Sequence, residues 1–501
     1  MGVIDILHSA ARFLPAIKAP EKPLATRERL MWTGLALVLY FLMYQTTAFG
    51  VVIQGGGLDF LQTITASKIG SLLTTGIGPI VLASIFLQLF VGAGLLNLNL
   101  KDKSDRAKFL ETQKILAITL ALVEGIIYVV LTHMVPVSPI FPGETAAYAP
   151  FTMGLVVLQI TLGSILVLFL DELVTKYGIG SGISLFIAAG VSFAVVLGLF
   201  DLIFVGNASV VAAMSGGGAE ALPSAIIALL PFFFTVLVFL AVVYAESLKV
   251  EIPIAFERVR GMVPNLPLKF FYVSNIPVIF ASALILNMQL FAGGLLMGQF
   301  WVDSETPTGL MAGMQSTGHY SMDRDGIMPL IGVVSQDKQL HDGLLYLFTP
   351  VMMQSGTGTL AHWNHLNTST TFLGIPEWIH AIVYILMLAS ISVVFGLFWV
   401  ETANMDAKSV AAQLSSSGLQ IPGFRRDPRM LETILNKHIF PLTVMGSAAV
   451  GLLAGIADLT GALGTGTGIL LTVGILHKMY EQLEQMKAFE MYPSFGRMFG
   501  D

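Results

Sequence analysis

Ten stretches of about twenty mostly apolar residues recur along the chain, separated by polar, glycine-bearing or proline-bearing connections. They run over Leu30–Ile53, Ile77–Leu96, Ile115–Val135, Thr152–Leu170, Ile183–Phe204, Ala225–Tyr244, Val273–Leu296, Ile379–Val400, Ile439–Ala457 and Leu463–Tyr480. A bilayer core about 30 Å thick needs about 20 apolar residues per helix. Backbone groups surrounded by lipid must be satisfied within the protein, which a helix does by itself. The pattern therefore predicts an all-α polytopic membrane protein with ten transmembrane helices. Two other segments break it. Residues 3 to 17 carry Val3, Ile6, Leu7, Ala10, Phe13, Leu14 and Ile17 at helical spacing, with His8 and Arg12 among the polar positions and Pro20 and Pro23 beyond. This predicts an interfacial helix within residues 1–29 rather than a cleaved leader. Between the first two spans, Gly55-Gly56-Gly57 precedes the moderately apolar run Asp59 to Leu73, and Gly76-Ile77-Gly78-Pro79 follows it. The run is too short and polar to cross lipid. It is either a half-helix re-entering the protein interior or a helix on the outer surface.

Ten spans divide into two sets of five, and because five is odd the second set starts from the opposite side of the membrane. Two halves of one fold would then form an inverted repeat: residues 30–204 and 225–486, with a tail over 487–501. Charge orients them. Of 26 Lys and Arg, 23 fall in the connections and ends on one side, and only Lys68, Arg324 and Lys338 on the other. The positive-inside bias makes the first side cytoplasmic, with both ends of the chain there. Acidic residues invert the balance outside, leaving the cytoplasmic face at +4 and the outer face at −9 within a net charge of −6.

Composition narrows the chemistry. Charged residues are 12%, apolar residues 55%, and mean hydropathy is +0.78. No basic excess exists to hold a nucleic acid across the whole surface. The absence of Cys removes disulfides, thiolate zinc sites and iron–sulfur ligation. No Gly-Lys dipeptide occurs, so there is no Walker A loop, and there is no His-Glu-x-x-His. Gly178-Ile179-Gly180-Ser181-Gly182 lacks the glycine two before the serine that a nucleophile elbow needs. His362 and His365 in the outer loop at 297–378 lack a third ligand at a known spacing. Glu124 stands alone deep in the third span, where a carboxylate faces protein or water: a functional candidate, or a protonated packing residue. Two long cytoplasmic loops concentrate cations, Arg258 and Arg260 in one, Arg425 and Arg426 in the other, which suits contact with RNA or an acidic protein.

Five motifs, in order, resemble one family. They are Thr63-Ile64-Thr65-Ala66-Ser67-Lys68-Ile69-Gly70 leading into Gly76-Ile77-Gly78-Pro79-Ile80-Val81; Gly178-Ile179-Gly180-Ser181-Gly182-Ile183; Tyr272-Val273-Ser274-Asn275-Ile276-Pro277-Val278-Ile279; Phe398-Trp399-Val400-Glu401-Thr402; and Met479-Tyr480-Glu481-Gln482-Leu483. Together they resemble SecY, the large subunit of the Sec protein-conducting channel, in its archaeal form, over nearly the whole chain. The resemblance implies two inverted five-helix halves around an hourglass pore in the plasma membrane, closed from outside by a plug helix over about 59–73. It implies an apolar pore ring of Ile77, Val81, Ile183, Ile187, Ile279 and Leu471. A lateral gate between spans two/three and seven/eight would carry a polar cluster with Glu124 and Asn275, although Leu82 stands where the family often has a hydroxyl and Ser84 is near. Arg258, Arg260, Arg425 and Arg426 would dock the ribosome or a cytoplasmic motor. The implied partners are a SecE-like subunit, a small beta subunit, signal sequences, nascent polypeptides and lipid. No cofactor and no catalysis are implied, with energy supplied by translation or a partner ATPase. A secondary transporter of small solutes, also built from inverted repeats, is the alternative. An intramembrane hydrolase lacks any nucleophile or metal constellation.

Overall fold

The computed structural model describes residues 15, 17–22, 24–52, 62–63, 65–92, 94–96, 98, 102–131, 135–141, 144, 149–205, 209–215, 221–253, 255–256, 265–298, 333–334, 340–342, 344–351, 359–368, 375–416, 419–420 and 428–491. Every predicted span has a helix. In chain order these are α1 (Thr26–Gln45), α2 (Gly78–Gly92), α3 (Lys103–Ile126), α4 (Pro150–Tyr177) and α5 (Gly182–Phe204). After the short α6 (Val210–Ser215) come α7 (Ala221–Ala228) and α8 (Leu230–Ser247), which share the sixth span around Pro231, and then α9 (Ile276–Gly298). Beyond α10 (Thr359–Thr368) lie α11 (Glu377–Thr402), α12 (Ala407–Ser416), α13 (Pro428–Leu459) and α14 (Gly466–Met491).

Among the described residues six spans are long and apolar enough to cross a membrane on length and composition: those of α3, α4, α5, α7 with α8, α11 and α13. Helix α2 has 15 residues, about 22 Å at 1.5 Å per residue, and so cannot cross alone. It starts after residues 65–77, which are largely buried. Helix α3 ends in a π turn, Ile127–Leu131, with Tyr128 and Val129 buried. Helix α9 packs on α2 and on this π turn, and α11 packs on α9 and α2, which joins the two halves along one seam. Helices α11 and α13 approach most closely at small residues: a Cβ on Gly451 would lie 2.6 Å from the Ala389 Cα. Between membrane helices, close van der Waals contact supplies what the hydrophobic effect supplies in water.

The last hairpin of each half is closed in the same way. Asp171, near the end of α4, accepts a hydrogen bond at 2.8 Å from the Ile183 N–H in the first turn of α5. Asp458, at the end of α13, accepts one at 2.7 Å from the Thr467 N–H in the first turn of α14. Each carboxylate satisfies a donor that a helix start leaves without an intrahelical partner.

Among the described residues, two-stranded antiparallel ribbons decorate the connections: β1 (Lys249–Pro253) with β3 (Asn265–Lys269), β2 (Ala255–Phe256) with β6 (Leu419–Gln420), and β4 (Val333–Val334) with β5 (Leu340–Asp342). Residues 1–14 of the expected interfacial helix and most of the outer loop at 297–378 lie outside the described residues.

Candidate functional site

The segment before α2 is interior. Thr63, Thr65, Ala66, Ser67, Gly70, Ser71 and Leu73 are buried, and Lys68 and Ile69 are half-buried. The described part of the segment thus lies inside the protein. The described backbone is helical only at Gln62–Thr63 and turns repeatedly from Thr65 to Ile77; Ile64 lies outside the described residues. Local side-chain bonds hold these turns. Thr65 and Ser67 share a hydrogen bond of 2.6 Å between hydroxyls. Thr74 Oγ1 donates to Ser71 O at 2.6 Å and accepts from Gly70 N–H at 3.1 Å. The Ile77 N–H donates to Thr65 O at 2.8 Å, tying the segment to the start of α2. Gly76 has φ +53°, and a Cβ there would overlap Thr65 O, so the reversal into α2 requires glycine.

Three helices surround this segment. From α1, the Tyr40 hydroxyl donates to Ala66 O at 2.8 Å, and Lys68 Nζ donates to Gln45 Oε1 at 2.9 Å. From α5, a Cβ on Gly190 would lie 3.6 Å from Ala66 Cβ. From α14, a Cβ on Gly468 would lie 2.9 Å from Thr63 Cγ2. Helix α4 meets its far end, where a Cβ on Gly163 would overlap Leu72 O.

Of the six expected ring residues, Ile77, Val81, Ile187, Ile279 and Leu471 are buried members of one continuous apolar core, and Ile183 is partly buried against it. They come from the entry turn of α2, α2 itself, α5, α9 and α14, so both halves contribute.

Glu124 and Asn275, the residues expected in a polar cluster at the seam, have different described contacts. Asn275 Nδ2 donates to Leu470 O of α14 at 3.1 Å, and a Cβ on Gly474 would overlap this amide. Glu124 faces the start of α2 instead, its Oε2 3.2 Å from where a Gly78 Cβ would stand. Its Oε1 has no hydrogen-bond partner among the described residues. Ser84 accepts from Gln113 Nε2 at 3.0 Å and Leu82 is buried, so neither supplies Glu124 with a hydroxyl. Asn275 sits one residue before α9 begins and Glu124 far along α3, so motif order alone did not fix their depth. The mid-span amide on α9 is Asn287, 5% exposed, with Nδ2 donating to Ala283 O at 2.9 Å. Its signal in the sequence is an Asn inside an apolar run.

On the basic side, Arg258, Arg260, Arg425 and Arg426 lie outside the described residues, but the bases of their loops do not. Strand β2 from the first loop pairs with β6 from the second, bringing the two connections side by side. Lys269 Nζ reaches Glu481 Oε2 of α14 at 2.6 Å. Burial alone would push the Glu481 carboxyl up, but Lys269 and the charges of His477 and Lys249 outweigh it and hold the group below its ordinary range. Burial, aided by Asp406, pushes the Tyr272 hydroxyl up to about 12, so it stays a neutral donor and bonds Met405 O at 2.8 Å. On the opposite side, His362 and His365 lie on α10; burial and His365 lower the His362 imidazole below its usual range.

The arrangement combines an apolar core shared by both halves with a polar-stapled segment seated in it. The SecY family model matches residues 71–480. The chain is 40% identical to the protein translocase subunit SecY of Methanocaldococcus jannaschii over 97% of each chain, and 36% identical to that of Pyrococcus furiosus over the full length of both. A solved protein-conducting channel superposes with a TM-score of 0.74 at 38% identity, covering 98% of this chain and 99% of the other. A structure concerned with the SecY plug domain gives 0.73 at 37% identity, and Sec61 from a canine ribosome–channel complex 0.71 at 37%, with the same coverage. The chain is therefore a multi-pass membrane protein that belongs to the SecY family, a protein-conducting translocase subunit and not an enzyme.

Proposed function

We propose that unfolded secretory polypeptides pass between the two halves through a constriction made by Ile77, Val81, Ile183, Ile187, Ile279 and Leu471, and that apolar segments leave sideways between α2/α3 and α9/α11. In this reading residues 59–73 plug the pore from outside, and Glu124 on α3 with Asn287 on α9 are the polar groups at the seam. Aliphatic side chains make a constriction that dewets against hydrated ions while yielding to a chain of varied side chains. The observation that carries this reading is the burial of Thr63, Thr65, Ala66 and Ser67 among α1, α5 and α14, a position from which the segment can block the path between the halves. A solute transporter would need ion or substrate ligands converging at mid-depth; Glu124 is the single carboxylate offered there.

The strongly basic side is cytoplasmic, in the plasma membrane, with both ends of the chain there. The joined loops carrying Arg258, Arg260, Arg425 and Arg426 receive the ribosome or a cytoplasmic motor, and a SecE-like and a small beta subunit complete the complex. Reversing these four charges to Glu is expected to abolish ribosome binding that is itself weakened by salt. The direct test of the channel reading is single-channel conductance of the purified complex in planar bilayers, intact and lacking residues 59–73. Deletion is expected to turn near silence into frequent openings. Silence from both forms, with solute uptake into vesicles, would replace the channel with the transporter.

A further inference from the structure

Helix α1 contributes no expected ring residue, yet its side chains hold the buried segment at two points. Tyr40 is fully buried, and its hydroxyl donates to Ala66 O at 2.8 Å. Ala66 has φ +48°, a left-handed conformation that a residue with a Cβ adopts at a cost. The ring of Tyr40 stacks on Phe186 of α5, with centroids 4.9 Å apart and planes at 13°. Phe186 directly precedes Ile187, and one turn further Gly190 leaves the room beneath: a Cβ there would lie 3.3 Å from the Tyr40 hydroxyl. One side chain thus touches both the strained turn of the segment and the helix that supplies a constriction residue. A second, more exposed hold lies one turn along α1, where Lys68 bonds Gln45 and stands 5.7 Å from the Tyr44 ring centroid.

We propose that Tyr40 is the latch of the seal, a positioning residue that sets how readily residues 59–73 leave their seat. The proposal rests on the plug reading above and deepens it. Displacing the segment strips the Tyr40 hydroxyl of its acceptor in an apolar surrounding, where a donor left unpaired is costly. It also releases the strain at Ala66, so the two terms oppose each other and set a threshold instead of a lock. Because the same ring lies on Phe186, a shift of α5 as the pore widens disturbs the hydroxyl geometry and lowers that threshold. Opening and unsealing are thereby coupled through one residue.

The test is conductance of the reconstituted complex. Tyr40→Phe keeps the ring and its stack but removes the donor, and is expected to raise open probability about tenfold, the scale of one buried hydrogen bond. Ala66→Gly relaxes the positive φ and is expected to lower it. A purely structural role for Tyr40 is separated by a crosslink: the chain has no Cys, so Thr63→Cys with Gly468→Cys forms a single removable tie between the segment and α14. In the Tyr40→Phe background this disulfide should restore silence, and a reductant should bring the openings back. Openings that persist under the crosslink would mean the leak arises from disturbed helix packing, and would overturn the latch. Quiet Tyr40→Phe channels beside conducting 59–73 deletions would overturn the latch alone. Quiet channels from the deletion itself would overturn the plug reading and the latch with it.

Discussion

The α4–α5 hairpin and the α13–α14 hairpin solve one problem in two settings. In both, a carboxylate near the end of one helix receives an N–H from the first turn of the next. Around Asp171 the neighbourhood is ionic: the adjacent Glu172 is held by Lys114 at 2.8 Å and Lys176 at 2.7 Å. Asp458 lies on the opposite side of the fold with no cation beside it among the described residues. It accepts instead from the Thr467 hydroxyl at 2.6 Å and from the Tyr384 hydroxyl, on α11, at 3.0 Å. Asp458, Tyr384 and Thr467 are all buried. The comparison shows that an inverted repeat can survive as a shared device when no residue-by-residue similarity is left. It also shows that the second half seals its device away from water and fastens it to a third helix.

The largest effect should come from Asp458→Ala, which orphans three buried donors. At roughly 1 to 3 kcal/mol each, with partial relaxation, a loss of about 3 to 5 kcal/mol is expected, read as earlier unfolding in a titration with denaturing detergent. Asp171→Ala should cost less, about 1 to 2 kcal/mol, the usual scale for losing a helix cap. Equal losses at the two sites would break the comparison. Tyr384→Phe removes one donor of the three and should cost about 1 kcal/mol, with no counterpart at Asp171. The smallest effect is electrostatic. Glu481 has a folded pKa depressed below its ordinary value of 4.5, so its contribution is present above that value and fades as pH falls through the lower folded one. Its side chain is 33% exposed, so screening limits the Lys269–Glu481 tie to at most about 1 kcal/mol. Limited proteolysis of the 245–272 connection should be unchanged from neutral pH down to about 5 and increase only below the ordinary carboxylate range.

Much of this architecture was legible in the residues. All ten spans appeared as apolar runs because lipid imposes length and composition on a crossing helix, and the structure has a helix at each. The lone carboxylate Glu124 was visible for the same reason. What stayed hidden depends on partners. Thr63, Thr65 and Ser67 are polar enough for a surface helix, and only their hydrogen bonds with one another and with backbone make them interior residues. Asn275 lies in a matching motif, but its amide is spent on Leu470. Asn287 shows in the sequence only as a single amide in an apolar run, which marks it as unusual without naming its partner. The capped hairpins were invisible because Asp171 and Asp458 precede their helices at different distances, and the unlike wiring of the two sites removes any common motif.

In the proposed mechanism a polypeptide threads between the halves past residues from both. The most direct measurement is site-specific crosslinking of an arrested, half-translocated polypeptide to single cysteines at Ile77, Val81, Ile187, Ile279 and Leu471, clean because the chain has no Cys of its own. Adducts at all five positions from one translocating residue are predicted, with none at Leu240, exposed on the outer face of α8. Adducts confined to one half, or as strong at Leu240, would contradict a path between the halves.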